Sequence, residues 1–339
     1  MKPKLLDMTV EQVRAALAEQ GVEPYRAEQL ADWVYRKGVT DPARMTNLPA
    51  ALVERFEILT SRVAARADSR DGTVKLLLEY DDGQRVETVL IPSGKRATVC
   101  LSAQAGCAMG CVFCASGLDG LGRNLTCGEM LQQVIHLRQA TGSKATNVVF
   151  MGSGEPLANY AATVSAVRAL ADPERFGLSG RSITVSTVGL PKRIRRLAKE
   201  DLPITLAISL HAPNDALRRK LIPAASAASI EEILSAAGEF FASRKREVTL
   251  EYVVLAGVND TNVCAEALAR LAKRIRCNVN LIRYNPVPSL PYAAPSPAAI
   301  KGFLERVRRR GVNAHLRQSR GADIAAACGQ LRQALADRH

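Results

Sequence analysis

Residues 107–114 read Cys-Ala-Met-Gly-Cys-Val-Phe-Cys and follow a predicted β-strand, Thr98–Ser102. The spacing C-x3-C-x2-C lets three thiolates, those of Cys107, Cys111 and Cys114, wrap one small iron–sulfur cluster. A cubane cluster has four irons, so three protein ligands leave one iron with an open position. An open position is typical of a catalytic metal site rather than a structural one. The alternatives are a zinc site completed by another residue and three unrelated buried cysteines.

The strand before this cysteine triplet is the first of a series of predicted strands that alternate with helical segments. Repeated βα units predict a parallel sheet, and six or seven of them predict a partial (β/α)6-type barrel. The active site of such a barrel lies at the C-terminal ends of its strands, where the triplet falls. The predicted strands are Thr98–Ser102, Asn147–Met151, Ser182–Thr187, Ile204–Leu210, Val248–Leu255, Asn278–Tyr284 and Val312–Arg317.

A smaller unit with a different pattern precedes the barrel. Apolar residues at helical spacing predict helices over Val10–Gln20, Ala27–Lys37 and Ala50–Leu59. Two predicted strands, Thr73–Tyr80 and Arg85–Ile91, flank a turn at residues 81–83 and indicate a β-hairpin. We therefore expect an accessory domain over residues 1–92, the α/β barrel over 93–320, and a C-terminal segment over 321–339.

The chain is basic, with a formal net charge of +13 and a pI of about 9.6. A basic surface is typical of proteins with a polyanionic partner such as RNA, although a merely soluble basic protein has the same balance. Clustering of the cations favours RNA, and we expect the accessory domain to contribute to binding it. The three clusters are Lys192, Arg193, Arg195 and Arg196; Arg218, Arg219 and Lys220; and Arg306, Arg308, Arg309 and Arg310.

The cysteine content and the hydropathy pattern point to the cytoplasm. No stretch approaches about 18 consecutive apolar residues, so the sequence predicts no membrane span. The chain has eight cysteines, which in a reducing compartment favour metal binding or catalysis over structural disulfides. Cys127, Cys264 and Cys277 fit small buried hydrophobes.

The cysteine triplet resembles that of the radical S-adenosylmethionine superfamily. In that superfamily the open iron chelates the amino and carboxylate groups of S-adenosylmethionine, and one electron cleaves the cofactor to a 5′-deoxyadenosyl radical. The stretch Gly152-Ser153-Gly154-Glu155-Pro156 is similar to the motif with which these enzymes hold the cofactor's amino group. The resemblance implies a [4Fe–4S] cluster on Cys107, Cys111 and Cys114.

Longer stretches resemble the radical RNA methyltransferases that modify one adenosine of 23S ribosomal RNA. The resemblance implies binding of S-adenosylmethionine, two molecules per turnover, by Gly154, Glu155, Ser186, Ser209, Leu210, His211 and Asn285. The matching stretches run from about Pro24 to Leu331 and are residues 85–89, 100–114, 123–126, 150–159, 207–214, 257–260 and 323–331.

The resemblance also implies roles for two further cysteines and one carboxylate. Cys328 accepts a methyl group, which after hydrogen abstraction adds to the adenine carbon and leaves RNA bound to Cys328. Glu87, thirteen residues before Cys100, is the proton acceptor. Cys100 then attacks the Cys328 sulfur, releases the methylated RNA and leaves a transient disulfide.

Two branches of this family, which methylate adenine at C2 or at C8, remain open at this point. Residues 283–286 are similar to the C8 branch, which confers ribosomal antibiotic resistance. Residues 154–156, the spacing from Glu87 to Cys100 and residues 319–321 are similar to the C2 branch, which we favour, with tRNA beside the anticodon as a second expected substrate. Ser153 departs from the methionine usual in the family.

The expected partners follow from the same resemblance. We expect a monomer that receives its electron from a reduced flavodoxin- or ferredoxin-type protein and has no membrane partner. Two hypotheses of other functional classes compete with the RNA methyltransferase interpretation. A non-catalytic RNA-binding module with a structural metal would have no use for Cys100 or Cys328, and a radical enzyme acting on a small molecule would leave the basic clusters unexplained.

Overall fold

The computed structural model describes residues 2–332 and contains a ten-stranded mixed sheet with helices on its outer face. The strands are β1 (Ser61–Asp68), β2 (Val74–Tyr80), β3 (Arg85–Ser93), β4 (Arg96–Cys100), β7 (Asn147–Phe150), β8 (Ile183–Thr187), β9 (Thr205–Ser209), β10 (Val248–Val254), β11 (Cys277–Arg283) and β12 (Ala314–Arg317). A separate two-stranded hairpin, β5 (Gln104–Gly106) with β6 (Leu121–Asn124), flanks the cysteine triplet.

Strand order follows chain order, from β1 at one edge to β12 at the other. Pairing is antiparallel from β1 to β4 and parallel from β4 to β12. The sheet does not close on itself, so the predicted partial barrel is confirmed. All seven strands predicted for it are present, with ends that differ by one or two residues. Their apolar side chains fill the main core between the sheet and the helices.

The helices are α1 (Val10–Ala18), α2 (Tyr25–Ala31), α3 (Ala50–Val53), α4 (Cys127–Thr141), α5 (Tyr160–Ala171), α6 (Pro191–Lys199), α7 (Asp215–Leu221), α8 (Ile230–Arg244), α9 (Asn262–Ala272) and α10 (Pro297–Arg309). Two of the barrel helices, α4 and α8, begin with reciprocal capping boxes, in which Thr126 pairs with Glu129 and Ser229 pairs with Glu232. These caps fix where the connecting loops on the cysteine side of the sheet end.

The N-terminal helices form a second apolar cluster of their own. The predicted helix over Ala27–Lys37 is present as α2 and a π-helical turn, Asp32–Lys37, whereas the prediction over Ala50–Leu59 was too long because α3 ends at Val53. Strand β1 was not predicted. It is an edge strand, and its alternating apolar residues, Val63, Ala65 and Ala67, are mostly alanine, which has a low strand propensity and gives a weak signal.

Strands β1–β3 belong to the same sheet as the barrel strands, and side chains of β2 and β3 lie in the main core. The expected boundary at residue 92 therefore falls within a continuous sheet. The expected C-terminal part, 321–339, is described up to Arg332, and residues 333–339 lie outside the described residues. Within residues 2–332, no helix combines the length and the apolar character needed to cross a bilayer.

Candidate active site

A cavity with a volume of about 970 Å³ opens at the C-terminal ends of the parallel strands. This is the position that the barrel architecture predicts for an active site. Most of the residues expected in the site line it, while Glu87, Cys100, Leu210 and Asn285 do not. The expected residues on its wall are Cys107, Cys111, Cys114, Gly154, Glu155, Ser186, Ser209, His211 and Cys328.

The loop that carries the cysteine triplet is closed at its base by the β5–β6 hairpin. The Cys107 amide donates to the carbonyl of Gly120 at 2.8 Å. Gly106 has a φ of +79°, and a Cβ at this position would lie 2.1 Å from the same Gly120 carbonyl oxygen. Only glycine fits there, because the two backbone segments approach too closely for any side chain.

The three thiols are partly buried and line the wall of the same cavity. Burial raises the pKa of each, to about 11 for Cys114, and the pKa of Cys111 is raised further by Cys114 and Cys107. Neighbouring thiols of this kind become thiolates when metal binds them. Over residues 2–332, no three Cys, His, Asp or Glu side chains are arranged to hold a single metal ion, whereas a cubane cluster takes one thiolate at each of three irons. The donor set therefore fits an iron–sulfur cluster.

Glu155 follows β7 and faces the cavity beside the triplet. Its two carboxylate oxygens accept hydrogen bonds from the amides of Leu157, at 2.9 Å, and Val188, at 2.7 Å. Complete burial raises its pKa to about 7. Each carboxylate oxygen keeps a second lone pair. A fixed, buried acceptor of this kind suits an ammonium group, as the amino group of S-adenosylmethionine would present.

His211 follows β9 and is held as a neutral ring. Its Nδ1 accepts a hydrogen bond from the Val253 amide at 3.0 Å, and its ring packs edge-on against Phe113. Burial lowers its pKa to about 3. The ring therefore keeps its proton on Nε2, which leaves one N–H donor for a ligand in the cavity. Its positive φ of 56° re-aims the chain at this point.

Two of the expected cofactor residues contribute from outside the cavity wall. Leu210 is fully buried, and its amide donates to the carbonyl of Glu251 at 3.0 Å, so that it joins two neighbouring strands. Asn285 lies in a smaller neighbouring cavity of about 390 Å³ that it shares with Cys328. Its side-chain amide donates to the Cys328 carbonyl at 3.1 Å, so Asn285 orients the loop that carries Cys328.

Cys100 and Cys328 come together from distant parts of the chain. Cys328 is exposed to the main cavity, whereas Cys100, the last residue of β4, is buried behind it. Burial raises the pKa of Cys100 to about 12, with a smaller contribution from Cys328. Cys100 packs in one apolar cluster with Ala326 and Leu331, on the segment that carries Cys328. Burial raises the pKa of Cys328 as well as that of Cys100, and Arg317, at the end of β12 on the same cavity wall, opposes both rises.

Residues 321–332 are the described part of the C-terminal segment. Hydrogen bonds and one ion pair connect them to loops in both halves of the sheet. The Gly321 amide donates to Asp71, and Ser69 donates to Asp323 at 2.6 Å, both on the turn between β1 and β2. Further contacts join this segment to the loop that carries the cysteine triplet and to the loop after β11. The Ala115 amide donates to the Gly329 carbonyl, and the Ser116 hydroxyl donates to the Leu331 carbonyl. The Gln330 side-chain amide donates to the Pro286 carbonyl, and the Arg332 guanidinium forms an ion pair with Asp119.

Glu87 lies on β3, directly behind the C-terminal segment, and only 3% of its surface is exposed. One carboxylate oxygen is 2.6 Å from Lys75 Nζ, and the other accepts the Arg332 amide at 2.6 Å. Burial raises the pKa of Glu87, and Lys75 opposes this shift. The carboxylate is thus held next to the segment that carries Cys328.

Sequence reasoning missed three charged residues of this region, namely Lys75, Glu251 and Arg317. Glu251 is buried in β10 and lines the cavity, and its Oε2 has no hydrogen-bond partner among the described residues. Each of the three stands in or directly beside a strand that is otherwise largely apolar. A charge inside such a strand is the signal that could have identified them, since buried charges are rare unless they have a partner or a function.

The basic clusters differ from one another in the structure. Arg218 is buried and donates to the Val188 carbonyl, so it belongs to the interior rather than to a surface. In the third cluster, Arg306 and Arg310 pair with Glu266. On α6, by contrast, Lys192, Arg193 and Arg196 are exposed, and both arginines lie over the Tyr160 ring. The α6 cluster therefore presents three exposed cations, for which no ion pair is found among residues 2–332.

A partial barrel with three loop thiols and a glycine-rich carboxylate motif on its rim defines a radical S-adenosylmethionine enzyme. Residues 101–268 match the family description "Radical SAM superfamily", and residues 3–60 match "Ribosomal RNA large subunit methyltransferase N-terminal domain". The cofactors of this class are a [4Fe–4S] cluster and S-adenosylmethionine, and the superfamily match decides for the cluster over zinc.

Whole-chain comparisons are more specific. The chain is 43% identical to "Dual-specificity RNA methyltransferase RlmN" of Solidesulfovibrio magneticus, over 97% of this chain and 96% of the relative. It is 45% identical to a "Probable dual-specificity RNA methyltransferase RlmN" of Thermosynechococcus vestitus, over 97% and 98%. A crystal structure of a radical SAM methyltransferase from Sphaerobacter thermophilus superposes with a TM-score of 0.94 at 45% identity, over 98% of this chain and 100% of that chain. The chain belongs to the RlmN family of RNA methyltransferases.

Proposed function

We propose that this enzyme methylates C2 of a specific adenosine in 23S ribosomal RNA, and also the adenosine beside the anticodon of tRNA. Family membership supports RNA as the substrate, and the N-terminal match to a large-subunit ribosomal RNA methyltransferase domain supports ribosomal RNA. The observation that carries the proposal is the pairing of Cys328, exposed on the cavity wall beside the cluster thiols, with Cys100 directly behind it.

The cofactors supply the methyl group and, after one-electron reduction, the radical chemistry that activates it. The chain itself holds and orients them. Cys107, Cys111 and Cys114 ligate the cluster, Glu155 binds the amino group of S-adenosylmethionine, and Gly154 leaves room for it. Ser186, Ser209 and the His211 N–H offer polar contacts on the same cavity wall. Leu210 and Asn285 lie outside this wall and hold the backbone at Glu251 and at Cys328 by hydrogen bonds.

Cys328 carries the methyl carbon from the cofactor to the adenine. A carrier is needed because the amidine carbon of adenine is electrophilic and cannot attack a sulfonium methyl group. Glu87, next to the C-terminal segment, accepts the proton that leaves the ring carbon. The Cys100 thiolate then attacks the Cys328 sulfur, so that an S–S bond forms as the S–CH2 bond breaks. The bonding pair leaves with the carbon, which takes up a proton and becomes the new methyl group.

Methylation at C8 is the alternative within the same family. Residues 283–286 favour it, and Asn285 of this stretch contacts the Cys328 carbonyl. The RlmN names of the relatives, over nearly the full length of the chain, favour C2 instead. For the remaining partners we propose a reduced flavodoxin- or ferredoxin-type electron donor and a monomeric enzyme.

The test is the identity of the modified nucleoside. Protein reconstituted anaerobically with iron and sulfide is incubated with protein-free 23S RNA, S-adenosylmethionine and a reductant, and the digested RNA is analysed by mass spectrometry. We expect 2-methyladenosine from the wild type and from Cys264→Ala, a control in α9, and none from Cys111→Ser. Exclusive formation of 8-methyladenosine would assign the chain to the C8 branch, and no methylated adenosine from cluster-loaded protein would refute the proposal.

A further inference from the structure

Lys75 joins the proton acceptor to the loop of the methyl carrier. Its ammonium group is 2.6 Å from Glu87 Oε1 and 3.1 Å from the carbonyl oxygen of Ala325. Ala325 lies three residues before Cys328 and has a left-handed backbone, with a φ of 50°. Non-glycine residues adopt this conformation only when their surroundings hold them there. One side chain thus contacts both parts of the machinery.

The position of Lys75 follows from the register of β2 and β3. Lys75 is opposite Val89, and Leu77 is opposite Glu87, so Lys75 and Glu87 are diagonal neighbours on one face of the antiparallel pair. Diagonal neighbours are about 7–8 Å apart at the backbone, a distance that a lysine side chain spans. The residues that β2 contributes to the main core, Val74, Leu76, Leu78 and Tyr80, lie on its opposite face. Lys75 therefore shares its face of the sheet with Glu87 rather than with the main core.

The pair is buried, which separates it from an ordinary surface ion pair. The side chains are 14% exposed for Lys75 and 3% exposed for Glu87. Surface pairs contribute little, whereas removing one partner of a buried pair leaves an uncompensated charge. Lys75 is the one cation paired with Glu87 in the described part of the chain. From the C-terminal segment, Glu87 receives only the Arg332 amide, because the Arg332 side chain pairs with Asp119.

We propose that Lys75 is a positioning residue of the methyl transfer, which keeps Glu87 ionised and ties its carboxylate to the loop that carries Cys328. This inference rests on the proposed function, in which Glu87 accepts the ring proton. In that step the C–H bond of the adenine carbon attached to the Cys328 methylene breaks. Its electron pair stays on the adenine, the unpaired electron of the adduct would pass to a one-electron acceptor such as the oxidised iron–sulfur cluster, the proton moves to Glu87, and the carboxylate becomes a neutral carboxyl group. The Lys75 ammonium keeps its own protons throughout.

The consequence of losing Lys75 has a definite sign. Burial raises the pKa of Glu87, and the ammonium opposes that shift. Without it the pKa rises further, so a larger fraction of Glu87 is already protonated at neutral pH and cannot accept the ring proton. The reaction then stops after the adenine has become bonded to Cys328, and the covalent protein–RNA adduct persists.

The experiment compares Lys75→Met with Lys75→Arg in single-turnover reactions of the reconstituted enzyme. Lys95→Met, at the exposed turn between β3 and β4, is the matched control. For Lys75→Met we expect methylation to slow by about tenfold or more near neutral pH, an acidic limb of the pH–rate profile moved to higher pH, and RNA-linked protein on denaturing gels. Lys75→Arg, which restores the charge, should recover much of the rate, and Lys95→Met should match the wild type.

The readouts distinguish the two hypotheses. A wild-type enzyme that makes no methyladenosine refutes the proposed function. A wild-type enzyme that methylates, beside a Lys75→Met enzyme with an unchanged pH profile and no adduct, overturns the role of Lys75 even if that variant is less stable. If Lys75→Met does not fold, Lys75→Gln carries the test, because it also removes the charge but keeps a polar end that can donate to the Ala325 carbonyl. It should slow proton loss and leave measurable adduct, and wild-type behaviour of Lys75→Gln would overturn the role.

Discussion

Cys100 and Cys328 carry the same thiol in two different surroundings. Cys328 faces the open cavity, where a cofactor and the adenine base of the RNA can reach it. Cys100 is buried behind it at the end of β4. Burial raises the pKa of Cys100 to about 12, which disfavours a premature attack by its thiolate. Both residues are free thiols in this structure. The arrangement suits one cysteine that accepts the methyl group and a second one that acts later.

The two cysteines should therefore fail differently when each is replaced by alanine. Cys328→Ala has no sulfur to carry the methyl group, so it should neither methylate nor crosslink RNA. Cys100→Ala can still load Cys328 and bond it to adenine, but it cannot release the product. We expect the purified Cys100→Ala protein to carry nuclease-trimmed RNA on the peptide that contains Cys328, as detected by mass spectrometry.

Cys264→Ala is the control for simple loss of a cysteine, because this residue lies in α9, away from the cavity. It should methylate RNA normally and trap none. A Cys100→Ala enzyme that turns over at the wild-type rate would remove the resolving role. A Cys100→Ala enzyme that never retains RNA, although its cluster is intact, would also remove the resolving role.

At the scale of single residues, the sequence predicted the parts of the site that have a fixed spacing. The C-x3-C-x2-C triplet could be recognised because its ligands lie on one loop. A charge within a strand marks Lys75 and Glu251, but their roles could not be predicted, because those depend on which strand their side chains meet. Arg218 shows the opposite error. It looked like part of a surface cluster, yet the fold buries it and pairs it with a backbone carbonyl.

The first turn of helix α6 carries charges that destabilise the start of a helix. Its first turn has no acidic residue and contains two cations, Lys192 and Arg193, where the positive end of the helix dipole disfavours them. The helix begins three residues after Val188, which lines the cavity. An unfavourable charge near the mouth of the cavity is explained if it contacts RNA phosphates, because these supply the missing negative charge.

Reversing the charge at Lys192 should separate stability from binding. Lys192→Glu places an acid in the first turn, so the free energy of unfolding should rise by about 0.3–1 kcal/mol. RNA affinity should fall, and its salt dependence should weaken by about one unit of slope. Chemical denaturation and filter binding at several salt concentrations measure the two effects.

Lys199→Glu is the matched control, because it changes the same charge in the last turn, roughly 10 Å along the helix. There a cation favours the helix, so the substitution should lower stability and affect RNA binding less. Equal losses of affinity for both variants would contradict a role of the first turn and indicate only a general effect of net charge.

Whole elements were predicted well where they repeat a pattern and poorly where they do not. The parallel strands alternate with capped helices, and each was found within one or two residues. The edge strand β1 was missed, because none of its residues is buried and its first residue, Ser61, meets the polar groups of Gln132 and His136. Polar pairing across elements leaves only a weak hydrophobic period in the sequence.

At the scale of the whole molecule, the accessory part consists of two layers that depend differently on the barrel. The N-terminal helices form their own apolar cluster, to which the barrel contributes mainly Ile135 and Phe176. Strands β1–β3 instead extend the barrel sheet, and β3 covers the edge of β4. The helices are thus an attachment, whereas the three strands are part of the sheet that supports the site.

Two truncations test this difference. A chain that begins at residue 59 keeps all ten strands of the sheet, so it should remain soluble and folded with reduced stability. A chain that begins at residue 93 exposes the edge of β4 together with Cys100, and open edges promote aggregation. Soluble yield, size-exclusion chromatography and near-ultraviolet circular dichroism compare the two. A soluble, cooperatively unfolding chain from residue 93 would contradict the structural role of β1–β3.

The ties of the C-terminal segment determine when the enzyme becomes competent during its own synthesis. Ser69 and Asp323 are 254 positions apart, and Glu87 and Arg332 are 245 apart. Chains fold from the N-terminal side as they leave the ribosome, and contacts between such distant positions form slowly. The sheet and the cluster loop can therefore assemble well before Cys328 is delivered to them. A nascent chain remains inert toward the RNA of its own ribosome until translation has passed this segment.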